Sequence, residues 1–466
     1  MRVLQQVKPT PEQLPILTDA GLGFRLIRGA AGSGKTTAAL LRLRQLCASR
    51  LSRRQRLRSD QPVKVLVLTF NRTLRGYVKQ LAQEQVGSNS GLDLTVETFA
   101  QWALSLLGSR DLINDRNEIL TELLGQVGVR AKDMNYFIDE IEYVLGRFPA
   151  DARELYIDAL RTGRGRAPAV NKQTRTRLLT QVIEPYKKRK RADGQVDWND
   201  IAVEVADAKS QRYDVVVVDE TQDLSANQLR AVLSHLEQDH VTTFIIDAAQ
   251  RIYPQGFQWR ELGIELRPEM VFTLSRNHRN TKEIARFARS LLDGLPQEED
   301  GVVPDENACQ EEGQTPEVVA GRYGAQLDQM LRRVQPYLNA GETVAILHPL
   351  GGGWFSFARQ ALNQRDIPFC ELTRQREWPS GPELVALSTI HSAKGLEFDH
   401  VLLPGINQEV TPHGGEDGDG TLQSLRRLVA MAVGRARKTV SVGYKPGEQS
   451  TVIDLLDPDT YTLVGV

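Results

Sequence analysis

The sequence predicts an α/β protein, two domains built on parallel sheets with a helical insert in the first. Three observations carry that prediction. A glycine-rich turn, Arg28 to Thr37, stands between a short apolar run and an amphipathic one, in the order strand, loop, helix. Four consecutive valines, Val215 to Val218, read as a strand buried on both faces of a parallel sheet. From Trp102 to about Asp200 strand signals vanish and helical periodicity takes over, and further buried strands follow beyond Val271. The expected division is 1–102 with 201–270 for the first domain, 103–200 for the helical insert and 271–466 for the second domain.

Size and composition agree with this division. A chain of 466 residues holds two or three domains, each able to bury a core. Hydrophobic content of 41% and charged content of 25% are ordinary for a globular protein. The net charge of −1 is silent about nucleic acid. The distribution is more informative, with basic residues clustered before about residue 192 and carboxylates around 297–317. Cys47, Cys309 and Cys370 lie far apart, with neither metal-ligand spacing nor a disulfide framework, which predicts free thiols in a reducing compartment. No secretory signal and no apolar run near 18 residues is evident, so a cytoplasmic protein without a membrane partner is expected.

The turn carries the first chemistry. Gly29, Ala30, Ala31, Gly32, Ser33, Gly34, Lys35, Thr36 and Thr37 form a G-x-x-x-x-G-K-T loop between a predicted strand at 24–28 and a predicted helix at 37–46. Such a turn aims successive backbone N–H groups and a helix N-terminus at one point, where a polyphosphate supplies the acceptors. Lys35 would reach the β- and γ-phosphates, and the Thr36 hydroxyl would hold Mg²⁺. Acidic residues at the C-terminal end of the valine strand sit where ligands bind in parallel sheets. Asp219 would hold Mg²⁺ through water, and Glu220 would orient and deprotonate an attacking water. ATP and Mg²⁺ are therefore the expected cofactors.

The remaining segments follow in chain order. Pro9 to Leu14 opens a helix with Thr10 as N-cap and Pro11 at its first position. Gln13 either completes a capping box or pairs an adenine through its amide. Ser49 to Arg58 reads as a basic, solvated segment. Strands at 63–70 and 94–98 each end in an aromatic beside a threonine, Phe70 and then Phe99, as a face for single-stranded nucleic acid requires. In the insert, Arg161 to Arg166 and Lys187 to Arg191 accompany Tyr156 and Tyr186, and contact with a phosphate backbone is expected there. A strand at 243–246 precedes Tyr253, Phe257 and Trp259. A second sheet is expected to start near Val271, with Asn277 to Asn280 just beyond its first strand and a loop from Gly294 to Thr315. Strands resume at 343–347 and 384–388, and a final helix, Leu422 to Ala436, carries Arg435 near its C-terminus.

Strung together, these segments resemble the superfamily 1A helicases of the UvrD/Rep/PcrA-like group. The matching stretches are PEQ, GAAGSGKT, TFNRTL, TFAQWA, DETQD, DAAQRIY, NHRN, STIHSAKGLEF and VAMAVGRARK, in family order from residue 9 to 438. The resemblance implies two RecA-like domains. It implies that Gln13 and His278 frame the adenine and that Glu397 touches the ribose. Lys35, Thr36, Asp219 and Glu220 run the phosphate and Mg²⁺ chemistry, while Gln250, Arg279 and Arg435 contact the γ-phosphate, the arginines from the second domain. It sets Phe70, Asn71, Phe99, Tyr253, Trp259, Thr389 and His391 along a DNA single strand. His278 stands where the family usually has a tyrosine, Ala100 replaces a frequent histidine, Gly434 replaces a threonine, and Asp247-Ala248 replaces a Gly-Asp pair. Only Cys370 to Glu383 separates one core segment from the strand feeding STIHSAKGLEF, too short for the large accessory domain that the family inserts there.

The sequence thus reads as an ATP hydrolase and single-stranded-DNA translocase or helicase, with 3′-to-5′ polarity implied by the resemblance. Single-stranded DNA or a tailed duplex is its expected partner, with RNA less expected. The rival reading is a nucleotide-sensing regulatory ATPase subunit that gates a partner nuclease in a DNA-repair or phage-defence complex.

Overall fold

The structure is a computed structural model that describes residues 9–29, 32–69, 75, 78–79, 82, 91–161, 169–208, 211–246, 257–295, 306–373, 379, 381–413 and 420–466. Two all-parallel sheets organise the chain. The first contains β1 (Gly23–Gly29), β2 (Val63–Thr69), β3 (Leu92–Thr98), β4 (Tyr213–Val218), β5 (Leu236–Ile246) and β6 (Val271–Leu274), in the order β3-β2-β4-β5-β1-β6. Every residue of β4 is buried, as its run of valines requires of a central strand. Apolar side chains cover both faces of this sheet, Leu66, Val216 and Phe244 on one side and Val65, Val217 and Ile245 on the other.

The last strand of this sheet corrects an expectation. The run from Val271 does not open a second sheet. It pairs in parallel with β1, Leu26 opposite Val271 and Gly29 opposite Leu274. The second sheet begins at β7 (Glu317–Ala320). It continues through β8 (Val344–His348), β9 (Phe369–Glu371), β10 (Val385–Thr389), β11 (Phe398–Leu403), β12 (Ala436–Tyr444) and β13 (Thr462–Gly465), in the order β13-β7-β12-β11-β8-β10-β9. β9 pairs directly with β10, Cys370 opposite Ala386, at the junction where the sequence is too short for an accessory domain.

Three helix expectations also shift. The first helix spans Leu14–Thr18 rather than starting at Pro11. Half of the capping box forms, Gln13 Oε1 accepting from the Thr10 amide at 3.0 Å, while the buried Thr10 hydroxyl has no partner. The helix after the glycine-rich loop runs 22 residues, Lys35–Arg56, well past residue 46, so most of the basic segment is helical while staying largely exposed as expected. Arg53 pairs with Asp239 and Arg54 with Asp214, on β5 and β4, at 2.8 and 2.9 Å. The late helix is Gly420–Val433, so Arg435 lies in the turn before β12 rather than within the helix.

The insert packs around its own core, with Leu120, Ile141, Val144, Tyr156, Val182 and Tyr186 all fully buried. The helices on either side of it, Phe99–Leu107 and Trp198–Ala208, pack instead into the core of the first sheet, where Trp102 Nε1 donates to the Tyr213 hydroxyl at 3.0 Å. No described helix is long and apolar enough to cross a membrane. The cysteines are free thiols, Cys47 and Cys309 buried and Cys370 half-buried.

Candidate active site

The site grows from the C-terminal ends of β1 and β4, strands that β5 separates. Gly32 and Gly34 adopt left-handed backbone, with φ of 80° and 77°, a region that costs a side-chain-bearing residue about 1–2 kcal/mol. Space also demands glycine here. A Cβ on Gly34 would stand 2.6 Å from Gln13 Nε2, and one on Gly32 would collide with Asn277 and Arg279. The helix therefore starts at Lys35, with its first amides facing the loop. Lys35 Nζ donates to the Gly29 carbonyl at 2.7 Å, closing the loop on itself. Ser33 is buried within it, and Thr36 and Thr37 are half-buried. Gln13 is 2% exposed and its Nε2 donates to the Gly34 carbonyl at 3.4 Å, so its amide touches the loop while also serving its own turn.

Across from the loop, the Thr36 hydroxyl donates to Asp219 Oδ2 at 3.0 Å. The two residues expected to share a metal thus already meet. Glu220 follows at φ 50°, a left-handed conformation that is rare without glycine and clusters at functional sites. Burial, and after it the neighbouring Glu220 carboxylate, push Asp219 up to about 7. Burial also pushes Glu220 up, but the charges of Lys394, Arg435 and Lys35 outweigh it and hold the group below the ordinary carboxylate value. Glu220 is therefore ionised at neutral pH, as a proton acceptor must be.

The other wall comes from later segments. Asn277 to Asn280 leaves the last strand of the first sheet and packs on the loop, the His278 amide donating to the Gly32 carbonyl at 3.0 Å. Arg279 thus emerges from the first sheet, and not from within the second domain as the resemblance implied. It reaches the second sheet with its side chain, Nη2 pairing with Glu397 at 2.6 Å. Burial raises the Glu397 carboxyl, and Arg279, with Arg437 and Arg435 behind it, more than compensates, leaving it below the ordinary value. Asn280 Nδ2 ties the segment down by donating to the Gly434 and Ala436 carbonyls. Arg435 is 2% exposed and donates to the Leu396 carbonyl at 3.4 Å. The side chain of His278 is exposed.

A nucleoside triphosphate with Mg²⁺ fits these residues. The left-handed glycines and first helical amides form a phosphate cradle, and Thr36 with Asp219 offers paired oxygens to a hard cation. Arg279 Nε is buried beside the loop with no hydrogen-bond partner, a donor suited to an anion.

The residues expected along a single strand divide by burial. Thr389 is half-buried at the end of β10 and His391 is exposed just beyond it. Phe99 is 4% exposed, with its ring edge-on to Trp102 at 5.7 Å in the core of the first sheet. Trp259 is half-buried against Phe244 and Phe257, at ring separations of 5.0 and 5.3 Å. Ala30, Ala31, Phe70, Asn71, Gln250 and Tyr253 lie outside the described residues.

Among the described residues of the insert's basic runs, Arg161 and Lys190 are held in buried pairs, while Lys188, Arg189 and Arg191 are exposed. Arg161 pairs with buried Glu140 at 2.7 Å, Lys187 with Glu184 and Arg189 with Glu122 at 2.8 Å, and Lys190 with Asp197 at 2.6 Å. Tyr156 and Tyr186 are fully buried and donate to Glu140 and Asp197, so neither ring can stack on a base. Sequence reasoning gave no role to Lys394, Asp223 or Gln222. Lys394 is 1% exposed, paired with Asp223 and 3.8 Å from Glu220. Gln222 Nε2 donates to Glu220. A signal for them existed: three carboxylates within five residues at the end of a buried strand demand a cation from elsewhere.

Comparison with known proteins agrees with this geometry. The family model of the UvrD/REP helicase N-terminal domain matches residues 10–262, and that of the UvrD-like helicase C-terminal domain matches residues 370–445. A probable DNA helicase of Mycoplasma pneumoniae is 22% identical over 454 residues, spanning 89% of this chain and 79% of that protein. A DNA helicase II of Rickettsia typhi is 41% identical over 61 residues, which cover 12% of this chain and 9% of the relative. This chain belongs to the UvrD/Rep helicase family.

Proposed function

We propose that this chain is an ATP-driven motor on single-stranded DNA, moving 3′-to-5′, with Mg²⁺ as its metal. The observation that carries the reading is the Thr36–Asp219 hydrogen bond with ionised Glu220 beside it, opposite a wall that includes Arg279 and Arg435. Lys35 with the loop amides would hold the β- and γ-phosphates, and Thr36 and Asp219 would hold Mg²⁺. Bound ATP supplies the phosphoanhydride bond whose cleavage powers movement. Glu220 would orient a water and take its proton, and Arg279 and Arg435 would stabilise charge at the transferring group. Gln13 and His278 would face the adenine and Glu397 the ribose. Gln250, among the residues without a described position, is assigned to the γ-phosphate by family pattern.

For the strand, the residues that burial leaves at least partly accessible are Thr389 and His391, at the C-terminal end of β10, and Trp259. The direct β9–β10 junction gives weight to a second reading, in which the ATPase gates a partner nuclease instead of unwinding duplex unaided.

The test is Glu220→Gln, which keeps shape and removes the base. ATP and single-strand binding should persist while turnover falls about 10²–10⁴-fold. Near-normal hydrolysis would overturn the assignment. Unwinding of a 3′-tailed duplex by the isolated chain would favour the motor over the gating subunit, and stimulated hydrolysis without unwinding would favour the reverse.

A further inference from the structure

Lys394 lies at the junction of the two sheets. Its backbone belongs wholly to the second. The turn after β10 is closed by hydrogen bonds from the Ser392 amide to Thr389 Oγ1 at 3.3 Å and from the Ala393 amide to the Thr389 carbonyl at 3.0 Å. Ile390 and Ala393 are fully buried in the core of the second sheet. Gly395, at φ 85°, then reverses the chain toward Glu397. The turn that carries Thr389 and His391 is therefore tightly tied to its sheet.

The ammonium of Lys394, however, ends in the first sheet's acidic cluster. Its partner is Asp223, whose carboxylate is fully buried on the short turn Thr221–Asp223 that follows Glu220. Glu220 Oε2 is 3.8 Å away and also accepts from Gln222. A buried ion pair is sensitive to separation, because each charge loses its counter-ion in a medium that screens poorly. If the sheets shift relative to one another, this contact changes at once, and Glu220 feels it.

We propose that Lys394 is a positioning residue that couples strand occupancy to hydrolysis: it joins the turn bearing Thr389 and His391 to Asp223 and, through it, to the Glu220 carboxylate. Strand contact at the turn sets the position of the ammonium, and the ammonium sets the orientation of the base. This inference rests on the reading of the chain as a strand-dependent ATPase.

The experiment measures steady-state ATP hydrolysis with and without saturating oligothymidylate. The proteins are the wild type, Lys394→Met, Asp223→Asn and the double variant. Strand affinity is read in parallel from the anisotropy of a labelled oligothymidylate. The expected result is that either single change cuts the ratio of stimulated to unstimulated turnover on the order of 5–150-fold, the usual range of coupling between two sites. The double variant should be no worse than either single one, and strand affinity should hold. If a single variant fails to fold with one charge buried alone, the neutral pair Lys394→Met with Asp223→Asn retains the test. A wild-type ratio in that pair, or strict additivity of the two changes, would overturn the coupling while leaving the motor intact. Hydrolysis by the wild type that ignores single strands would overturn the motor reading itself, and the coupling with it.

Discussion

The buried charges of the helical insert and those of the cleft are built differently. In the helical insert, Glu140 accepts from Tyr156 and Arg161, and Asp197 accepts from Tyr186 and Lys190, all within a stretch of chain that folds on one core. In the cleft, the partners come from distant segments: Thr36 meets Asp219, Arg279 meets Glu397, and Lys394 meets Asp223. One residue there, Glu220, is backbone-strained, and the buried Arg279 Nε lacks a hydrogen-bond partner, as do Arg116 Nε and Arg153 Nε in the insert. The difference is instructive. Charges paired within one folded core hold a shape, whereas charges assembled from distant segments of two sheets depend on how those sheets sit and on what binds between them.

The contrast can be broken by substitution, and the largest effect should fall in the cleft. Arg435→Ala should lower turnover on the order of 10³-fold or more, as for arginines that stabilise phosphoryl transfer. Nucleotide affinity should change far less. Equal losses in affinity and turnover, read from a titration beside steady-state kinetics, would move Arg435 into the structural class.

The insert should respond the opposite way. Glu140→Ala strands Arg161 and Tyr156, and breaking such a buried pair costs about 3–5 kcal/mol. Denaturant unfolding should record that loss, while turnover per folded molecule stays at wild type. A fall in turnover with unchanged stability would make the insert part of the engine.

Trp259 sharpens the same distinction. Half-buried against two phenylalanines, it should cost about 2 kcal/mol of stability as Trp259→Ala, less than the 3–5 kcal/mol of a fully buried ring. Strand affinity per folded molecule should hold. Losing one base stack would instead weaken binding by about 1–3 kcal/mol with melting unchanged.

The smallest effect is expected at Lys188 and Arg191, exposed on the helix Glu184–Ala192. Changing both to alanine should move stability by less than about 0.5 kcal/mol. The salt dependence of strand binding should keep its slope, since that slope counts the phosphates neutralised. A shallower slope would restore the helix as a phosphate-contacting surface.

How far the sequence could be read follows from the range of the interactions. The glycine-rich loop, β4 and the acidic pair Asp219-Glu220 at its end were legible because each is written in contiguous residues. A left-handed turn needs glycine where it occurs, and a doubly buried strand needs apolar residues throughout. The insert's two tyrosines misled for the same reason. Tyrosines beside basic residues look like a base-stacking face until Glu140 and Asp197 arrive to bury Tyr156 and Tyr186.

Short-range pattern therefore determined the two parallel-sheet layers, the helical insert and the phosphate-binding loop with its acidic partner strand. The tertiary structure decided three other things. Val271–Leu274 joined the first sheet because its free edge, β1, is set by a strand some 245 residues away in the chain. Arg279 was carried onto the loop by that same strand. Lys394 was delivered to Asp223 across a sequence separation of 171 residues. Periodicity reports which face of an element is apolar, but a charge finds its counter-charge only when folding brings the two together, and that pairing leaves no trace in the spacing of either.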